Sequence, residues 1–274
     1  DMGTGCDTIL AQMAADVLGC DLEKIVVYGV DTDLSPYDSG SYASSTTYVT
    51  GMAVVKACEG MVKKIMNAAS RILDMSKDAL TFDGERIFVI EDESKGISLE
   101  DLVTKLQAGT DEILFSSASH SSPTSPPPFM AGACEIEVDL ETGKITPIDY
   151  VACVDCGTII NKNLARVQTE GGLVQGIGMT LYEDVIYSAK GAMMTSNFMQ
   201  YKIPSRIDIG KVRVDFEETY EPTGPFGAKS IGEVVINTPA PAIAEAVYNA
   251  TGLRFRSLPI TAEKVLMGLI EKNK

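Results

Sequence analysis

At 274 residues, with 38 acidic against 23 basic side chains and a formal net charge of −15, the chain is unsuited to nucleic acid or to anionic membrane surfaces. A hydrophobic content of 45% is ample for the core of one large domain or two ordinary ones. No apolar run approaches the roughly 20 residues that span a bilayer.

The chain opens on Asp1 in what reads as a strand-to-loop transition, as a processed or partial polypeptide would. Gly3, Thr4 and Gly5 lead into a helix with Asp7 or Thr8 as N-cap. Its apolar face carries Ile9, Leu10, Met13 and Val17, and Gly19 stops it. Residues 25–28 predict a short strand, and the turn formers over 31–40 predict a loop. The run 44–47 offers several N-caps for a long helix ending near Leu73, in which Gly51 and Gly60 predict close approach of another element. Residues 78–115 read as a small insertion, with a strand over 87–90 and a helix over 98–106. The Ser/Pro-rich stretch 116–128 must be irregular and divides the chain into halves 1–115 and 116–274.

The second half opens with a hairpin: 133–140 alternates, 141–144 turns, and 145–154 returns. A helix over 163–181 carries Gly171, Gly172, Gly176 and Gly178, each costing about 1 kcal/mol relative to alanine. Something must therefore press closely on that helix, either packing or ligand. Pro239 and Pro241 fit the first turn of a helix that begins near Thr238, and a last helix starts near Thr261.

Few motifs carry chemistry by themselves. Six cysteines, at 6, 20, 58, 134, 153 and 156, are spread through hydrophobic segments, as expected of buried thiols in a reducing cytoplasmic setting. Cys153-x-x-Cys156 is one pair beside a single histidine, His120, too few ligands for a structural zinc and misplaced on a strand end for a redox motif. His120 falls in the Ser/Pro-rich loop and reads as solvated. Residues 226–233 hold two glycines, a lysine and Glu233 ahead of a rigid helix. Glu233 is either an ordinary solvated loop residue or, if walled by apolar groups, a general base with a raised pKa. Helix starts near Thr4, Ser44 and Gly232 can offer unpaired N–H groups to anions, and Gln175 can both donate and accept. One anionic, heterocyclic cofactor touched by several loops explains these features together.

These stretches resemble the molybdenum-binding subunit of the xanthine dehydrogenase/aldehyde oxidoreductase family, in the C-terminal half of its cofactor domain. The matching segments are Asp1 to Thr8, Gly40 to Thr46 with the helix from Gly51, Glu170 to Gly178, and Gly227 to Glu233. Their order and spacing agree over nearly the whole chain. The resemblance implies an α+β fold of two α/β subdomains with mixed sheets and packed helices. It implies that Glu233 is the base that deprotonates a metal-bound hydroxyl while an electron-poor carbon is hydroxylated. Gly3, Thr4, Gly5, Cys6, Tyr42, Ala43, Ser44, Ser45, Thr46, Gln175, Lys229, Ser230 and Gly232 would hold the cofactor. No protein side chain would ligate the metal directly.

That cofactor would be molybdopterin with molybdenum, in the cytosine dinucleotide form, with a sulfido or selenido ligand. Iron–sulfur clusters and FAD would lie on partner chains. The substrate would be a small aromatic N-heterocycle, nicotinate or a purine. The alternatives are an aldehyde oxidoreductase, a 4-hydroxybenzoyl-CoA reductase-like subunit, or a non-catalytic assembly half covering the cofactor. The family's Gly-Gln-Gly glutamine is Thr4 here, and its earlier phenylalanine-bearing and arginine-bearing loops are not in this chain. The resemblance therefore implies either a fragment or a subunit divided between two genes, as in nicotinate dehydrogenase-like enzymes, and favours the latter.

Overall fold

The computed structural model describes residues 1–110 and 112–274. The chain folds as two compact units: residues 1–126 with 221–228, and residues 127–220 with 229–274. The expected division at 115/116 compares with a first crossing at 126/127 and a short return of 221–228 to the first unit. No helix among the described residues is long and apolar enough to cross a membrane.

In the first unit, helix α1 (Cys6–Leu18) packs on helix α2 (Gly51–Leu73). The helix does not take the expected Asp7 or Thr8 cap: its N-cap is Gly5, two residues before Asp7, in the left-handed region and with no side-chain cap. The predicted stop at Gly19 holds, its amide bonding back to Ala15 and Asp16 carbonyls. Residues 42–44 form a 3-10 turn and 46–50 a π turn that feeds α2, close to the predicted start. Gly51 faces Met13 and Pro225, where a Cβ would fall 2.7 Å from the Met13 sulfur, and Gly60 faces Ser116. Both sites confirm the close approach that the glycines predict.

The predicted strand over 25–28 does not form: the segment is irregular, with Val26 88% exposed, and among the described residues it pairs with none of the strands of either sheet. The insertion contains three antiparallel strands, β1 (Leu80–Phe82), β2 (Arg86–Val89) and β3 (Asp92–Ser98), then helix α3 (Leu99–Thr110). Of the three, sequence predicts only β2. Ile65, Ala68 and Ala69 of α2 close over Ile87, Val89 and Ile97 of this sheet and Leu102 and Leu106 of α3, forming the first core.

The second unit is built on strands β4 (Phe129–Val138), β5 (Ile145–Asp155) and β6 (Lys211–Phe216), in that order. The hairpin β4–β5 is antiparallel, as predicted. Strand β6, unpredicted, pairs parallel to β5. A parallel neighbour requires a crossover, and helix α4 (Lys162–Leu181) lies within it. Ile148 is an extra residue in the ladder, since Pro147 pairs with Ile136 but Asp149 pairs with Glu135. This bulge shifts the alternation of β5, so that Ile145 and Pro147 and then Tyr150, Ala152 and Val154 all point inward. Helix α5 (Pro239–Thr251) covers β4 and packs on α4, and helix α6 (Ala262–Lys272) adds Val265 to the core. Its predicted cap, Thr261, accepts the Lys264 amide. The α+β class therefore holds, with a wholly antiparallel sheet in the first unit and a mixed one in the second.

The glycines of α4 now have a packing explanation. A Cβ on Gly172 would strike Val235, and one on Gly176 would lie 2.6 Å from the Pro239 ring. A Cβ on Gly171 would meet nothing within 4 Å. Gly176→Ala should therefore destabilise the protein by about 2 kcal/mol through overpacking against a rigid ring, outweighing the gain of about 1 kcal/mol in helix propensity. Gly171→Ala should stabilise by about 1 kcal/mol. Urea denaturation of the two variants checks both signs.

Candidate functional site

The predicted site residues fall into two sets, one in each unit. In the first unit, the amides of Gly3, Thr4 and Gly5 converge on the Asp1 carboxylate, donating to Oδ1 at 2.6, 3.0 and 3.3 Å, while the Asp7 amide donates to Oδ2 at 3.3 Å. A glycine on each side of Thr4, both at positive φ, turns these N–H groups to one side at the start of α1. Cys6, first residue of the helix, is half-buried. Asp1, Cys6 and Asp7 could by distance surround a cation. The amides already occupy the Asp1 carboxylate, so this cluster is an anion nest filled by a side chain.

The second loop of that unit reaches the π turn before α2. Ala43 and Ser44 both have left-handed backbone, at φ 49° and 57°, which is uncommon outside glycine. Tyr42 and Ala43 are exposed. The Ser45 hydroxyl donates to the Gly40 carbonyl at 3.3 Å and the Thr46 hydroxyl to Ser41 at 2.6 Å. These two hydroxyls thus brace the loop. Buried Tyr48 braces it from below, its hydroxyl held by Ser122, Thr124 and Thr223. Burial alone would raise the Tyr48 pKa, and those three hydroxyls reverse the effect and lower it.

In the second unit, Gln175 lies on an exposed face of α4 beside Gly176, with its side chain toward solvent. The loop 229–233 runs from Lys229, buried, through half-buried Ser230 and Gly232 to exposed Glu233. Val235, two residues on, is buried against Gly172. Thr238 then caps α5 beside Tyr150, whose hydroxyl donates to the Thr238 hydroxyl at 2.9 Å. Gly132 on β4 leaves the room that pair needs. The Lys229 ammonium is directed at Asp155, at 2.6 Å, and not at solvent. Sequence alone did not single out Asp155. Its only signal was a charged residue at the end of a buried strand.

The Asp155 carboxyl is held below its ordinary 3.8: burial works to raise it, and hydrogen bonds from Lys229, the Gly157 amide and Thr219 outweigh that. A depressed carboxyl contributes stability that is fully present above 3.8 and lost only as pH falls through the lower folded value. The ion pair is therefore intact across the neutral range.

His120 departs from expectation. It is half-buried, with Nδ1 at 2.8 Å from the Lys56 ammonium, and burial with that neighbouring charge lowers its pKa. The cysteines at 153 and 156 do not form a ligand pair: Cys153 points out of β5 and Cys156 points in, and both are reduced.

The chain matches the molybdopterin cofactor-binding domain family over residues 1–210. It belongs to that family. It is 35% identical to the probable hypoxanthine oxidase XdhD of Escherichia coli K12, over 98% of this chain and 28% of that protein. It is 32% identical to the gamma subunit of the 6-hydroxypseudooxynicotine dehydrogenase complex of Paenarthrobacter nicotinovorans, over 96% of this chain and 34% of that one. Quinoline 2-oxidoreductase from Pseudomonas putida 86 superposes with a TM-score of 0.88 at 28% identity, covering 99% of this chain and 36% of that structure. The chain thus spans about a third of the length of the relatives it matches. The resemblance to the molybdopterin-binding part of the xanthine dehydrogenase family is borne out.

The local chemistry fits an anionic pterin. The amides at the start of α1 donate to one anionic group, the Asp1 carboxylate, so the same N–H set has the chemistry to meet an anionic oxygen. Burial pushes the thiols of Cys134 and Cys156 up to about 11. Both are therefore neutral at pH 8 and should resist iodoacetamide unless the protein is unfolded. Peptide mapping after native alkylation checks this, and rapid native labelling of Cys156 would contradict it.

Proposed function

We propose that this chain is the part of a molybdenum hydroxylase that supplies its proton acceptor and part of its pterin cradle. The substrate on this reading is an aromatic N-heterocycle such as nicotinate or a purine. The observation that carries the reading is the seating of Glu233. The loop ends against α4 through Val235 and Pro239, while the carboxylate itself remains exposed. An acidic side chain on a loop with buried flanks is suited to meeting a partner surface at a fixed place. The names of three relatives, a probable hypoxanthine oxidase, a 6-hydroxypseudooxynicotine dehydrogenase complex and a quinoline 2-oxidoreductase, support an N-heterocycle, beside CO dehydrogenases and aldehyde oxidoreductases among the similar structures.

When bound, molybdopterin with molybdenum would supply the activated oxygen from water and accept the two electrons of the oxidation. Gly3, Thr4, Gly5 and Cys6, with Tyr42 to Thr46, would hold it through backbone N–H groups, and the Gln175 amide would hold a polar edge of it. Ser230 and Gly232 would let the loop lie close to the bound group. Glu233 would accept the proton released as the substrate carbon is hydroxylated. A dinucleotide form would place its extra phosphate at a helix start.

The rest of the large subunit, or a second molybdopterin subunit replacing it, would complete the site, with iron–sulfur and FAD subunits carrying electrons away in the cytoplasm. An exposed apolar run in the second unit, through Met194, Phe198, Met199, Ile203 and Ile207, supports such a covering partner, Ile207 being 91% exposed. The exposure of Glu233 also accommodates a second reading, in which this chain only covers the cofactor.

In the assembled enzyme, Glu233→Gln should lower kcat by at least about 100-fold, the usual contribution of a general base, with molybdenum content unchanged. Turnover with nicotinate and hypoxanthine, set against an aldehyde and 4-hydroxybenzoyl-CoA, identifies the substrate class. Full activity in Glu233→Gln would leave only the covering role.

A further inference from the structure

The resemblance assigns Lys229 to the cofactor, yet its side chain turns the other way. It is 8% exposed and its ammonium lies 2.6 Å from Asp155 Oδ2, a carboxylate itself only 15% exposed. The Pro127 carbonyl accepts a second, longer bond from the same ammonium at 3.4 Å, and the Phe129 ring centroid lies 5.3 Å away. The backbone is fixed as well, since the Lys229 amide donates to the Cys156 carbonyl at 2.7 Å. The other oxygen of Asp155 accepts the Gly157 amide at 2.9 Å and the Thr219 hydroxyl at 2.7 Å. Asp155, Pro127 and Phe129, which meet this ammonium, all belong to the second unit.

Burying two charges costs desolvation that their attraction repays only with good geometry, so such a pair is weak evidence of added stability, and fixing a register is its best-attested use. The register fixed here is that of the loop carrying Glu233. Lys229 stands four residues before Glu233, and Val235, seated on Gly172, stands two residues after it. Four residues of extended chain reach at most about 14 Å, so a loosened Lys229 would give the carboxylate a wide arc.

We propose that Lys229 is a positioning residue: its ion pair with Asp155 pins the leading end of the 229–233 loop and thereby sets where Glu233 is presented. It does not touch the cofactor. The role deepens the proposed function of Glu233 and rests on that reading for its effect on turnover, whereas the pinning itself does not.

The test uses the assembled holoenzyme with Lys229→Met, Lys229→Arg and Asp155→Asn. Amide hydrogen exchange over residues 229–236 should quicken at least tenfold in Lys229→Met and Asp155→Asn while the β4–β5 amides stay protected. Molybdenum and pterin content and KM should hold at wild-type values while kcat falls at least tenfold. Lys229→Arg, which keeps the charge, should recover part of both. Exchange within twofold of wild type in Lys229→Met would overturn the proposal, as would loss of pterin with the loop still protected, which would mark a direct cofactor contact. Should Lys229→Met fail to assemble, Asp155→Asn loosens the same loop with almost no change in volume. A fully active Glu233→Gln would remove the functional reading yet leave the exchange result standing. A dead Glu233→Gln with unchanged exchange in Lys229→Met would remove the clamp alone.

Discussion

The contact on which the second unit depends is the meeting of a glycine face with a branched side chain and a proline ring. Gly172 and Gly176 strip α4 of side chains where Val235 and Pro239 arrive. The helix backbone and the chain entering α5 therefore approach more closely than any Cβ would allow. Tyr150 and Thr238, meeting over Gly132, fasten the same stretch to the sheet. Five residues lie between Lys229 and Val235, and the segment they form has little freedom at either end. The helix propensity given up by α4 appears as precision in a neighbouring loop.

The first unit uses a different device for a similar end. Its two candidate binding loops rely on backbone rather than side chains: paired glycines before α1, and left-handed Ala43 and Ser44 before α2. The first of these turns converges the Gly3, Thr4 and Gly5 N–H groups on one carboxylate, which suits an anion whatever the net charge of the chain. This resolves the apparent conflict between a strongly acidic protein and an anionic cofactor. The field of the whole molecule acts over a Debye length of about 10 Å, whereas the nest acts at hydrogen-bond distance.

Much of this was legible in the sequence where local rules act alone. The hairpin, the long helices, the Pro-started α5 and the Thr261 cap all follow from spacing and capping chemistry. What sequence missed depends on distant partners. Residues 25–28 have strand-forming side chains yet pair with no described strand, whereas β6 joins an edge supplied some 60 residues earlier. Strand β3, rich in charged residues, owes its form to pairing with β2 and not to its composition. At the site, the glycines and Glu233 were visible as a pattern. Asp155, by contrast, gains its meaning only once the strand end and the loop are brought together in space.

The path of the chain also constrains how the protein can be cut apart. It passes from one unit to the other at 126/127, returns at 220/221 and leaves again at 228/229. Neither unit is a continuous stretch of polypeptide, so no single truncation point yields either one whole. A protease that nicks the Ser/Pro-rich connector leaves residues 221–228 of the first unit still covalently joined to the second. A division of this region at any one point therefore separates parts of at least one unit.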